Sequence, residues 1–143
     1  MAIKLNTKPE PHRMVLVPEP HLIAVTVRPL TRILQSAARS YQQRMMKQLL
    51  SDWEAAKAAG GEIDGDFDLD DADEKKGVED LFFAQGLARK AIVDWEGVLD
   101  EDGSVAALTP ENIDAFVRLP HIGDIFVNYY MSSLADLLTE GND

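Results

Sequence analysis

Apolar positions come first in two short β-branched runs, MVLV (14–17) and LIAVTV (22–27), on either side of PEPH (18–21). Such runs around a Pro-rich connection predict a β-hairpin, with Pro18 and Pro20 in the turn because proline cannot donate to a strand ladder. Pro29 ends the second strand. The period then changes. Leu30, Leu34, Ala37, Tyr41, Met45, Leu49, Trp53 and Ala56 recur at steps of three and four, which predicts one long amphipathic helix stopped by Gly60-Gly61.

EIDGDFDLDDADEKK (62–76) has no helical period and reads as a solvated, flexible acidic loop (61–76). Val78, Leu81, Phe82, Ala88, Ile92 and Trp95 share a helical face and predict a second helix, with Trp95 closing it as a core anchor. Gly97 and Gly103 bracket a short turn at 96–106. Thr109-Pro110-Glu111 is a strong helix start, with a capping hydroxyl, proline at the first position and an acid for the dipole. Ile113, Phe116 and Val117 make that helix's apolar side. After Pro120, the residues Ile122, Ile125, Phe126, Tyr129, Leu134, Leu137 and Leu138 predict a last helix running to Gly141. The expectation is a single domain over 1–143, mainly α (α+β), with an N-terminal β element (1–29) followed by about four helices.

Length and composition agree with one core: 143 residues, 45% of them hydrophobic. No apolar run is long enough for a membrane span, and the N-terminal MAIKLNTKPEPHR lacks the apolar segment of a secretory leader. A cytoplasmic protein is expected. The absence of cysteine excludes disulfides, thiol catalysis and cysteine-ligated zinc. The net charge of −11 is split unevenly, +5 over residues 1–59 and −16 over 60–143. That balance opposes nucleic-acid binding and suits charge-steered protein partners.

Candidate chemistry is sparse. Counted from Asp100, the residues Asp102, Ser104 and Glu111 fall at calcium-loop positions. The sixth position, however, is the β-branched Val105 rather than glycine, and Pro110 starts a helix too early, so DEDGS reads as a turn. The acids from Asp64 to Asp73 lack the same glycine and the closing glutamate. His12, His21 and His121 have no second ligand at helical spacing, and no serine has a nucleophile-elbow context. No catalytic residue, metal site or cofactor is expected, and a non-enzymatic binding protein is favoured. Of the adjacent Tyr129 and Tyr130, one must face outward. Tyr130 with Met131, and Met45 or Met46 on the first helix, are the candidate partner contacts, methionine being adaptable.

Residues 88–143 resemble the tail assembly chaperones of long-tailed phages. The pattern is Ile92-x-x-Trp95-x-Gly97-Val98, then an acidic-Gly turn (Asp100, Asp102, Gly103), then Thr109-Pro110-x-Asn112, then an aromatic-rich terminal helix. The strands ending in Val27-Arg28-Pro29 fit the family loosely, and 61–76 looks like an insertion. The resemblance implies a non-enzymatic role: binding tape-measure and tail-tube proteins in the bacterial host cytoplasm, absence from the mature virion, and in many members a longer −1 frameshift product. Glu140-Gly141-Asn142 can be encoded GAG-GGA-AAC, which holds a GGGAAAC slip site in phase. Self-association into a homo-oligomer is compatible with all of this. The competing expectations are a calcium-responsive or other acidic protein-binding module of unknown partner, and an acidic mimic of nucleic acid.

Overall fold

The computed structural model describes residues 2–3, 5, 9–61, 65–132 and 138–139. Among them lie four helices and a three-stranded antiparallel sheet, an α+β fold with a β-hairpin near the N-terminus as expected and a third strand that the sequence pattern did not predict. A two-residue strand β1 (Ala2–Ile3) precedes β2 (His12–Val17) and β3 (Ile23–Val27), which form the hairpin around a connection containing a cis Glu19–Pro20 peptide. Helix α1 (Arg32–Ala58) starts at Thr31, whose hydroxyl accepts from Leu34 N, and ends before Gly60, at φ +69°. Its buried positions are Leu34, Ala38, Met46 and Trp53. At two places this is one residue on from the predicted stripe, so Met46 is inside and Met45 outside.

Helix α2 (Ala72–Ala91) begins inside the segment expected to be loop. Asp71 is its N-cap, accepting from Asp73 N and Glu74 N, and Asp73 and Glu74 favour the positive end of the dipole. The acids at 71–74 are therefore a helix start. Just upstream, Leu69 is buried with Met46, Trp53 and Val78 in a small second core.

Helix α2 stops at Ala91, and Ile92 and Trp95 do not extend it. They lie on β4 (Ile92–Glu96), the third strand of a sheet ordered β2-β3-β4. Val25 pairs with Trp95, Thr26 with Asp94 and Val27 with Ile92, so Val93 is the extra residue of a bulge. The bulge sends Ile92 and Trp95 to the same face although they are three apart. That spacing imitates a helix. On the opposite face Arg13 and Glu96 form a bidentate ion pair (2.9 and 3.1 Å) spanning from β2 to β4, and Ala24 on the intervening strand is buried. The Arg13 hydrogen bond holds the Glu96 carboxyl below its ordinary range.

Helices α3 (Pro110–Arg118) and α4 (Pro120–Met131) follow, joined through Leu119. The main core combines Val25, Val27, Ile92 and Trp95 of the sheet with Leu34 and Ala38 of α1. It also takes in Leu87, Ala88 and Ala91 of α2, Phe116 of α3, and Phe126 and Tyr130 of α4. The last helix ends at Met131, short of Gly141. Leu138–Thr139 form a strand, β5, antiparallel to β1. Leu134, Leu137 and the Glu140–Asn142 segment lie outside the described residues.

Candidate partner-binding groove

The segment from Trp95 to Asn112 is a locally hydrogen-bonded turn leading into α3. Trp95 is 5% exposed, packs at 5.3 Å on the Phe116 ring, and donates from Nε1 to Ala106 O at 2.9 Å. Gly97 has φ +79°, and a Cβ there would overlap the Leu22 carbonyl oxygen, so only glycine fits against the β-hairpin. The chain then reverses. Leu99 pairs with Val105, Asp100 N donates to Ser104 O, Gly103 takes φ +86°, and Ala106 N donates to Val98 O. The DEDGS segment is thus a tight turn, with Val105 in a β-bridge. Ser104 N and Oγ both donate to Asp102 Oδ1, and the Ser104 hydroxyl holds that carboxyl below its ordinary range. Thr109 Oγ1 accepts from Asn112 N, and Asn112 Nδ2 donates to Ala107 O, locking the α3 start. Gly97 and Gly103 take the left-handed positions of the turn, Thr109 caps α3 with Pro110 in its first turn, and Trp95 stands on a strand.

The expected contact residues are not brought together. Tyr130 is fully buried: it stacks on Phe126 and donates from its hydroxyl to Arg28 O at 2.7 Å. The buried set Ile122, Phe126 and Tyr130 runs at i, i+4, i+8, and the end of β3 supplies the acceptor that a buried tyrosine hydroxyl requires. Tyr129, 50% exposed, is the outward one. Met131 is half-buried against the main core, Met46 is buried in the second core, and only Met45 is exposed.

Burial pushes the Tyr130 hydroxyl up from 10.0 to about 12, partly opposed by Arg28. A raised folded-state value means the contribution is complete below pH 10. It is lost as pH climbs from 10 towards about 12, because the unfolded tyrosine ionises first. Denaturant titrations of wild type and Tyr130→Phe at about pH 8 and about pH 11.5 should show the wild type losing on the order of 2 kcal/mol more than the variant. Equal losses would mean that the hydroxyl is not sequestered.

The structure instead offers a groove of about 530 Å³ between α2 and the α3–α4 elbow. Phe83, Leu81, Val127 and the 53% exposed Leu119 make its apolar walls, and Asp80, Asp124, Arg118 and Asn128 its polar margin. Arg89 ties α2 to α3 through a bidentate pair with Asp114, and that hydrogen bond raises the Arg89 value. Gln42 Nε2 donates to Glu79 O at 2.8 Å, tying α1 to α2 beside the groove.

Two glycines of α2 have opposite surroundings. At Gly86 a Cβ would lie 2.8 Å from Tyr41 Cδ1, so the close crossing with α1 requires glycine. At Gly77, which lines the groove, a Cβ would meet nothing within 4 Å. Glycine in a helix costs about 0.5–1 kcal/mol relative to alanine, and no packing in the described structure explains it at 77. Gly77 is an exposed residue of the groove lining. The lining joins the apolar walls to a margin of Asp80, Asp124, Arg118 and Asn128. Sequence periodicity did not disclose this groove. Gly77 stands at the loop–helix boundary of the sequence pattern and lies inside α2 only once the helix start at Ala72 is seen.

Comparison with protein-family models, with curated proteins and with solved structures finds no match for this chain. No helix among the described residues is long and apolar enough to cross a membrane.

Proposed function

We propose that the chain is a tail assembly chaperone of a long-tailed phage or prophage, a non-enzymatic protein that holds tape-measure and tail-tube proteins in the host cytoplasm before the tail is built. The observation that carries the reading is the order Trp95-x-Gly97-Val98, acidic-Gly turn, Thr109-Pro110-x-Asn112, which is tied together through Ala106 and Ala107: Trp95 Nε1 donates to Ala106 O, Ala106 N to Val98 O, and Asn112 Nδ2 to Ala107 O. A pattern whose every residue has a role in one local structure supports a shared fold. The mechanism is holding: a long helical tape-measure protein exposes apolar seams, and the groove beside Gly77 takes one amphipathic turn after another by helix-in-groove contact.

The test is co-expression with the product of the long helical reading frame expected downstream of this gene. A soluble complex supports the reading; an insoluble partner with no complex refutes it. Gly77→Leu adds bulk at an exposed residue of the groove lining, where a Cβ meets nothing within 4 Å. It should leave the unfolding midpoint unchanged or slightly raised and weaken the complex by about tenfold or more. Undiminished binding by this variant would move the contact off the groove while leaving the function standing.

A further inference from the structure

Between Glu19 and Asp52 the chain contains no acidic residue, although the protein has 25. The interval carries Arg28, Arg32, Arg39, Arg44 and Lys47. On α1, Arg32, Arg39 and Lys47 stand at i, i+7 and i+15, so they form one stripe along about four turns, roughly 22 Å long. All three are exposed, and none has a carboxylate partner among the described residues, whereas Arg13, Lys57, Lys76 and Arg89 are each paired with an acid.

Folding gives no account of this arrangement. Helices α2 and α3 put acids in the first turn and bases in the last, as the helix dipole favours. Helix α1 has no acid in its first turn and places Arg32 there, where the dipole opposes a cation. With acids in excess, intrahelical Glu–Lys pairs would have been easy to supply. Their absence leaves a positive face on a negative protein, and a face of that kind is accounted for by what it meets. Beside it Ile33 is 82% exposed, giving the face an apolar margin.

We infer that the Arg32–Arg39–Lys47 stripe docks an acidic helical face of another protein. Carboxylates at the same helical spacing on a partner lying alongside α1 would meet all three cations. A nucleic acid is disfavoured because three cations over that length neutralise little of a phosphate backbone, while the net charge of −16 over residues 60–143 repels the rest. A partner helix bears charge only where it touches, and screening at physiological salt confines the remaining repulsion to about 8 Å. This surface is separate from the groove and does not depend on the chaperone reading.

The experiment titrates the full chain into a fluorescein-labelled, alanine-rich helical peptide carrying glutamates at the i, i+7, i+15 spacing, read by anisotropy at about 50 mM salt. The control peptide has the same composition with the glutamates distributed around the helix. The matched peptide should bind at least about tenfold more tightly than the control, and Arg39→Glu with Lys47→Glu should weaken it by at least about tenfold. The neutral pair Arg39→Gln with Lys47→Gln should fall between and guards against any misfolding of the reversed variant. Equal binding of the two peptides, wild-type binding by the neutral pair, or tighter binding of a single-stranded oligonucleotide of the same charge would each overturn the inference.

Discussion

Gly97→Ala should destabilise the chain by about 3–5 kcal/mol, enough to unfold much of it at growth temperature. Two costs combine. A non-glycine residue at φ +79° pays about 1–2 kcal/mol for the left-handed conformation. In addition, the new Cβ overlaps the Leu22 carbonyl, which is backbone and cannot swing away. Relief requires separating β4 from the β-hairpin, and that would withdraw Trp95 from the core and break its bond to Ala106. Gly103→Ala isolates the first cost, since Gly103 shares the positive φ but has nothing within 4 Å of a Cβ. It should cost only about 1 kcal/mol. Denaturant midpoints of the two variants measure the difference, and similar values would show that the Gly97–Leu22 approach relaxes.

The strand at 92–96 shows how far periodicity can be trusted. Alternation marks strands and steps of three or four mark helices, but a bulge at Val93 gives a strand the helical step. Ile92 and Trp95 therefore continued the α2 stripe on paper and left it in space. The β-branched and aromatic content of IVDW was the contrary signal, outweighed by the period. Where local chemistry decides, the sequence was readable. Thr109-Pro110 caps α3, Gly60 ends α1, and Pro120 opens α4, because each depends on one or two residues' own dihedrals and hydrogen bonds.

The acidic segment misled for a related reason. Charge density suggested a loop as far as residue 76, yet Asp71, Asp73 and Glu74 are the acids a helix start favours. Which of several acids is the cap depends on where Leu69 and Val78 are buried, and that is tertiary. The groove is harder still. Its walls come from two distant parts of the chain, and its residues are unremarkable one at a time. Gly77 acquires meaning only beside Gly86, once the first is seen to touch nothing and the second to be pressed against Tyr41.

Tyr130→Ala, which the sequence would offer as a binding variant, should instead lower stability by about 3–5 kcal/mol. It removes a fully buried ring stacked on Phe126 and leaves the Arg28 carbonyl without its hydroxyl donor. Tyr130→Phe keeps the ring and should cost about 1–2 kcal/mol, the hydrogen bond alone. The gap between the two variants, measured by denaturant unfolding, therefore reports the packing of α4 against the end of β3. Any loss of partner binding in Tyr130→Ala would follow from that unfolding, and would appear equally with partners that never touch α4. Tyr129→Ala provides the comparison. Half-exposed and on the same helix, it should change stability by no more than about 0.5 kcal/mol. If Tyr130→Ala proves as mild as Tyr129→Ala, the i, i+4, i+8 burial of Ile122, Phe126 and Tyr130 is wrong, and the outward face of α4 must be assigned afresh.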